Sequence, residues 1–280
     1  MRKEIITSAQ NAKIKELLAL QEKARLRREK SLFVAEGRRE LGHCLAAGYI
    51  PDTIFYCPDI IGREDTSIFI RPEETLVRIA GAGIRDARYL IEVPAHIYDK
   101  VAYRGGTEGI IAELQCKEHG LDSLSMRDNP LIVVLESVEK PGNLGAVLRS
   151  ADAAGADAVI VCDPLTDLYN PNLIRSSIGG IFTVQCCTAT SEEAITWLKE
   201  HGIQILTAQL QDSEWYYDTD MKKGTAIVIG TEATGLTDVW RKAADAHIKI
   251  PMLGRLDSLN ASVSAAILMF EAVRQRNSNI

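Results

Sequence analysis

The chain has 280 residues, 46% of them hydrophobic and 25% charged, a globular balance long enough for one large or two medium domains. Its formal net charge of −6 excludes a uniformly basic nucleic-acid binder and leaves a local basic patch as the feature to look for. The start, MRKEIITSAQNAKIK, has no apolar signal-peptide core, and no apolar run reaches the ~20 residues of a membrane helix, so a cytoplasmic protein off the membrane is expected. Six cysteines without a C-x-x-C and five scattered histidines suit reduced core thiols and no metal.

Residues 1–30 carry nine Lys/Arg against four Asp/Glu, a balance of +5 that leaves −11 for the rest. Ile14, Leu17, Leu18 and Leu20 fall at near-helical spacing, and Lys23, Arg25, Arg27, Arg28 and Lys30 follow them. This predicts a basic helical arm, either a solvated surface or a contact for RNA phosphates. A strand and turn over Ser31–Gly37, a helix over Arg38–Ala47 closed by Gly48, and a strand over Thr53–Cys57 come next. Further segments at Ser67–Ile70, Glu73–Ala80 and Gly109–Cys116 extend the alternation, so residues 31–116 form a small α/β domain. The polar stretch 117–129 (KEHGLDSLSMRDN, from Lys117) is the linker candidate.

From residue 130 the pattern sharpens. Strands are predicted at Leu131–Glu136, Ala158–Cys162, Ile203–Ala208, Thr225–Gly230 and Ala246–Ile250. Helices are predicted at Leu144–Ala154, Ser191–Glu200, Leu236–Ala243 and Leu259–Arg274, the last capped by Asp257-Ser258. Strands alternating with helices imply a parallel sheet covered on both faces over residues 130–280.

Three stretches at strand ends carry chemistry. In Pro141–Gly155 a glycine turn opens a helix that bears Asn143 and, two turns on, Arg149 on what reads as one face. Alone, these are a helix cap and a surface ion pair. The glycines match neither G-x-G-x-x-G nor a P-loop, which counts against a nicotinamide-dependent dehydrogenase. Gly230-Thr231-Glu232-Ala233-Thr234-Gly235 presents a carboxylate from a tight turn, where open α/β sheets bind ligands. The third, Ile250-Pro251-Met252 through Ser258-Leu259-Asn260, bends the chain and crowds small polar residues onto a helix start, where free N–H groups can hold a ligand.

Together these stretches, with Asn143-x-Gly145-x-x-x-Arg149, Gly230-x-Glu232-x-x-Gly235 and Ile250 through Asn260 in order, resemble the SpoU-type (TrmH-like) RNA ribose 2′-O-methyltransferases of the SPOUT superfamily. Asn170-Pro171 and Arg175-x-Ser177-x-Gly179 are similar to the family's middle segment, whereas Ala261 and Ser264 stand where valine and alanine are frequent. Residues 1–115, through Ser8-x-x-Asn11-x-x-Ile14-Lys15 and Phe33-Val34-x-Glu36-Gly37, resemble the substrate-binding domain of the rRNA-directed subgroup, a small α/β domain like ribosomal protein L30e.

The resemblance implies an α/β chain whose C-terminal parallel-sheet SPOUT domain is tied in a deep trefoil knot and pairs into a homodimer. It implies S-adenosyl-L-methionine as cofactor, held near Thr207, Ala208, Gly230, Glu232, Ile250, Met252, Ser258 and Leu259. Arg149, Asn143, Glu232, Ser258 and Asn260 are the implied catalytic set. RNA would meet Lys23, Arg25, Arg27, Arg28, Arg38 and Arg175. 23S rRNA is the expected substrate; tRNA, or a catalytically silent RNA-binding role on the same fold, are the alternatives.

Overall fold

The computed structural model describes residues 1–61, 86–103, 108–231, 234–255 and 258–277, and divides them into two compact units. The first comprises 1–118 and 168–182, the second 119–167 and 183–280. The expected strand at Ser67–Ile70 and helix at Glu73–Ala80 lie outside the described residues, as do Glu232 and Asp257.

Among the described residues the first unit holds a five-stranded sheet. Its strands are β1 (Arg2–Ile5), β2 (Leu32–Glu36), β3 (Pro51–Tyr56), β4 (Tyr89–Glu92) and β5 (Ile110–Gln115), in the order β1-β4-β3-β5-β2. β4 runs parallel to β1 and β3, while β5 runs antiparallel to β2 and β3. Helices α1 (Ala12–Glu22) and α2 (Ala24–Lys30) are followed by α3 (Arg38–Ala46), α4 (Pro58–Ile61) and α5 (Ala95–Val101).

The first thirty residues are therefore built into this unit instead of standing off as an arm. Ile14, Leu17 and Leu20 of α1 are fully buried among Val34, Phe55, Ile91 and Ile111. Burying three such side chains is worth about 1.5–3 kcal/mol each, which a free arm would forfeit.

The excursion 168–182, containing α7 (Pro171–Ser176), adds an aromatic cluster to the same unit. Tyr169 stacks on Phe33 with centroids 4.4 Å apart, and Phe182 and Tyr49 close in at 5.7 and 5.4 Å. Gly179, at φ +80°, passes so near His43 that a Cβ would lie 2.7 Å from its Cδ2.

The second unit holds seven parallel strands. They are β6 (Leu131–Glu136), β7 (Ala158–Cys162), β8 (Gln185–Ala189), β9 (Gln204–Ala208), β10 (Glu214–Trp215), β11 (Thr225–Ile229) and β12 (Ala246–Lys249). Their order is β10-β12-β9-β11-β6-β7-β8, and every pairing is parallel. The expected parallel sheet is thus borne out, and β6, β7 and β11 are buried along their whole length, as strands covered on both faces must be.

Helices α6 (Pro141–Ala154), α9 (Ser191–Glu200), α10 (Asp238–Ala243) and α11 (Ala261–Arg276) cover the sheet, with α8 (Gly180–Thr183) leading into β8. Trp240 of α10 is fully buried, and its indole N–H donates to Ser191 Oγ at 2.9 Å; that hydroxyl donates to Asp163 Oδ2 at 2.6 Å. The stretch read as a linker packs on this unit through Leu121, Leu124 and Met126.

All six cysteines are free, and burial pushes the thiols of Cys44, Cys162, Cys186 and Cys187 upward, away from reactive thiolate. No helix among the described residues is long and apolar enough to cross a membrane. No group of metal-ligating side chains occurs among them either.

Candidate active site

The strand order reverses between β6 and β11, since β7 and β8 lie on one side of β6 while β11, β9 and β12 lie on the other. Open parallel sheets hold ligands beyond the carboxyl ends of their strands near such a point. Here the ends of β9, β11 and β12 open into a cavity of about 380 Å³.

Two devices shape it. The chain after β11 doubles back on itself: Thr231 and Gly235 exchange backbone hydrogen bonds of 3.2 and 3.0 Å, and Gly235 sits at φ +69°. Gly230 is pressed against that return, with a Cβ there falling 2.3 Å from the Gly235 carbonyl carbon. The loop's exit is pinned by Glu136 at the end of β6, 3% exposed, whose carboxylate accepts from the Thr237 N–H (2.9 Å) and hydroxyl (2.6 Å). That grip explains why α10 begins at Asp238 rather than at Leu236.

After β12 the chain runs through Pro251 and Met252 to α11. The cap of α11 is Asn260, whose Oδ1 accepts from the Ser262 N–H at 3.0 Å and the Ser262 hydroxyl at 2.6 Å. The expected cap at Asp257-Ser258 is corrected accordingly, because the side chain that reaches the first free N–H groups is two residues further on.

The same Asn260 turns its amide outward. Its Nδ2 donates to Asn143 Oδ1 at 3.2 Å, joining two of the three motifs across 117 positions. Asn143 lies in the first turn of α6, half-buried.

Arg149, on the same helix, is exposed and has no hydrogen bond or ion pair with any described residue. Six residues of α-helix turn through about 600°, so Asn143 and Arg149 stand roughly 120° apart and do not share a face as expected. The expected Arg149–Glu232 pair involves a residue outside the described ones.

Of the residues expected around the cofactor, Ala208, Gly230, Ile250, Met252, Ser258 and Leu259 line the cavity. Thr207 does not. It is fully buried in β9, its hydroxyl 2.6 Å from His247 Nδ1, so it fixes the strand end and leaves contact to its neighbours.

The cavity also takes in Gln209, Thr231, Arg241 and Lys249, which sequence reasoning missed. Gln209 Oε1 and Arg241 Nε are buried without a hydrogen-bond partner among the described residues. No local pattern marks them; only the fold brings the ends of β9 and β12, the turn after β11 and a side chain of α10 to one hollow.

The basic residues divide. Lys23, Arg28 and Arg175 are exposed, and Arg25 is exposed while paired with Glu29 at 2.6 Å. Arg38 is half-buried and reaches the Ile61 carbonyl at 3.3 Å. Arg27 is 3% exposed, donating to the carbonyls of Leu20 at 2.5 Å and Gln21 at 3.1 Å. It staples α2 to the end of α1 and is not presented to RNA.

Comparison with known proteins agrees with this geometry. Residues 130–270 match the SpoU rRNA Methylase family, and residues 11–112 the MRM3-like substrate binding domain. A 23S rRNA (guanosine-2′-O-)-methyltransferase of Vibrio cholerae is 33% identical over 215 residues, 75% of this chain and 87% of that protein. A 23S rRNA (uridine(2479)-2′-O)-methyltransferase of Streptomyces viridochromogenes is 34% identical over 174 residues. That match spans 60% of this chain and 60% of the relative, so this chain covers less than two thirds of its length.

Among solved structures, the AdoMet-bound rRNA methyltransferase of Sinorhizobium meliloti superposes with a TM-score of 0.83 at 28% identity, over 97% of this chain and 98% of that one. With the motifs in order, the parallel sheet and both family models in agreement, the chain belongs to the SpoU rRNA Methylase family.

Proposed function

We propose that this chain transfers the methyl group of S-adenosylmethionine to a ribose 2′-hydroxyl of RNA, with 23S rRNA as substrate. The observation that carries this reading is the cavity at the ends of β9, β11 and β12, lined by two of the three motif stretches and abutted by the Asn143–Asn260 contact.

The cavity fits the cofactor on its own terms. Gly230 has no side chain where one would collide, and Gln209 Oε1 is a buried acceptor awaiting a donor such as an amine or hydroxyl. Its volume of about 380 Å³ lies within the usual span for small-ligand sites, roughly 300–1,000 Å³.

S-adenosylmethionine supplies an electrophilic methyl group on a sulfonium. The protein's task is therefore alignment and charge management. Asn143 and Asn260, each fixing the other's amide, would orient the ribose 2′-hydroxyl toward the bound methyl donor. The hydroxyl proton would pass to water or a phosphate as the oxygen accepts the methyl group. Arg149 holds the neighbouring phosphate and steadies the developing alkoxide, a role suited to a planar, charged fork. By the resemblance, Glu232 is assigned to pair with Arg149, and Ser258 to order the loop before α11 or contact the substrate.

Lys23, Arg25, Arg28, Arg38 and Arg175 supply phosphate contacts, and Arg27 drops out of that set. A homodimer through the second unit, knotted as the resemblance implies, belongs to the same reading. α11 leaves Val263 and Phe270 46% and 47% exposed, seven residues apart on one face, as a helix awaiting a partner would. Work on rRNA also suits buried, reduced cysteines and a cytoplasmic setting.

The test is methyl incorporation from labelled donor into 23S rRNA and into tRNA, both from a strain lacking the protein. Label in a 2′-O-methyl nucleotide of 23S rRNA is expected. Label in tRNA alone would redirect the substrate, and no label despite cofactor binding would leave a silent RNA-binding protein.

A further inference from the structure

The first unit holds a second hollow, of about 570 Å³, on the face of its sheet that α1 and α2 only partly cover. The strand register builds its floor: Glu113 of β5 lies opposite Thr53 of β3, and Thr53 opposite Tyr89 of β4. One row across three strands thus reads Glu113, Thr53, Tyr89, with Val34 of β2 beyond its end.

A glutamate in mid-strand at 4% exposure is costly unless something answers it. Glu113 Oε1 is buried and has no hydrogen-bond partner among the described residues, yet its side chain lines the hollow. Its charges are arranged around it element by element. Glu16 and Lys13 come from α1, Lys30 from α2, Asp52 from β3 and Arg88 from the approach to β4, with Cys116 following β5. Lys30 is held by Glu16 at 2.5 Å, while Lys13 is held by Glu4 at 2.7 Å and lies 3.6 Å over the Tyr89 ring.

We propose that this hollow is a base-reading subsite, in which Glu113 pairs with the edge of one unpaired nucleotide of the RNA substrate while Lys13, Lys30 and Arg88 at the rim face its phosphates. The inference rests on the RNA-methylation reading above.

Burial, and then the nearby Glu16, push the Glu113 carboxyl up to about 8, so near neutrality it is mostly protonated. A neutral carboxyl presents a hydroxyl donor beside a carbonyl acceptor. Every base shows a neighbouring donor and acceptor on its Watson–Crick edge, and RNA is read by sequence mainly at such splayed-out bases. A bare anion is disfavoured on this floor, since Glu4 and Glu16 already hold Lys13 and Lys30, and Asp52 lies in the same lining. A base on the floor with its phosphate at the rim satisfies both halves.

The experiment measures fluorescence anisotropy of labelled A10, C10 and U10 oligoribonucleotides with the full chain, as wild type, Glu113→Gln and Glu113→Leu, at pH 7 and pH 9. For a carboxyl titrating near 8 that binds only when neutral, wild-type affinity for at least one oligonucleotide falls about tenfold from pH 7 to pH 9. Glu113→Gln keeps a donor and an acceptor at both pH values, so its affinity stays level and controls for every other pH-dependent change in the hollow. Glu113→Leu binds about tenfold more weakly at pH 7.

The same pH loss in Glu113→Gln as in wild type, or no pH loss in wild type, overturns the proposal. The Gln comparison decides it even where Glu113→Leu folds poorly. Glu113-dependent binding without methyl transfer to any RNA would keep the subsite and sink the enzymatic reading. Methyl transfer with binding indifferent to Glu113 would do the reverse.

Discussion

Gly230→Ala tests the cavity's construction most directly. The added Cβ would stand 2.3 Å from the Gly235 carbonyl carbon, 2.4 Å from its oxygen and 2.5 Å from the Leu236 nitrogen, all backbone atoms. Carbon atoms rest about 3.5–4.0 Å apart, so the return of the loop must retreat by roughly 1 Å or more. That retreat strains the exchanged Thr231–Gly235 hydrogen bonds, each worth about 0.5–1.5 kcal/mol. With about 1–3 kcal/mol of overpacking, the expected loss is roughly 2–4 kcal/mol, near 5–15 °C in Tm for a unit of this size.

Because Gly230, Thr231 and Gly235 all line the cavity, the Kd for S-adenosylmethionine should rise at least about tenfold, equivalent to about 1.4 kcal/mol. Thermal melting and calorimetry well below the melt give both quantities. Gly142→Ala is the control: its Cβ meets nothing within 4 Å, at an exposed position of α6, and its Tm should not fall. A Gly230→Ala protein with wild-type Tm and Kd would refute the account of the loop.

Arg149→Ala should reduce single-turnover methylation by about 100-fold or more while its melting point and cofactor affinity stay near wild type, since the side chain is exposed without a described partner. Arg149→Lys should rescue poorly, and near-normal turnover by the alanine variant would remove the arginine from the mechanism. Arg27→Ala should destabilise by roughly 1–3 kcal/mol, having lost its hold on two carbonyls, whereas Arg28→Ala should leave stability unchanged and flatten the salt dependence of RNA binding; reversed outcomes would return Arg27 to the RNA-facing set. Glu113, raised from 4.5 to about 8 in the fold, lends stability that is fully present below about 4.5 and lost as pH climbs through 8. The unfolding free energy of wild type from urea titration should therefore fall relative to Glu113→Gln between pH 5 and pH 9, by at most a few kcal/mol, and parallel pH curves would contradict a neutral buried carboxyl.

What could be read from the chain followed the reach of each signal. β6 and β7 were bounded to the residue because their apolar runs are uninterrupted. α9 was too, because Thr190 and Glu193 form a capping box that marks its start. β8 went unpredicted, since Gln185-Cys186-Cys187-Thr188-Ala189 has little apolar contrast, and only its place beside β7 makes it a strand.

In the site, resemblance supplied six cavity residues, but not Gln209 or Arg241, which the fold brings to the cavity from the end of β9 and from α10. It also could not show that Arg27 turns inward while Arg28 does not. Near-helical spacing gave the apolar face of α1, whereas the fate of each basic neighbour depends on which carbonyls are left open beside it.

The excursion of residues 168–182 bears on the order in which the protein can be made. As the chain leaves the ribosome, the strands of the first unit are complete once residue 115 has emerged. Phe33 and Tyr49 must nevertheless wait for Tyr169 and Phe182, by which time β6 and β7 of the second unit are already synthesised. The first unit therefore finishes only after the second has begun, and a nascent chain stalled between them exposes an unfilled aromatic face. A fragment cut at residue 118 would lack Tyr169 and Phe182 and carry that defect permanently.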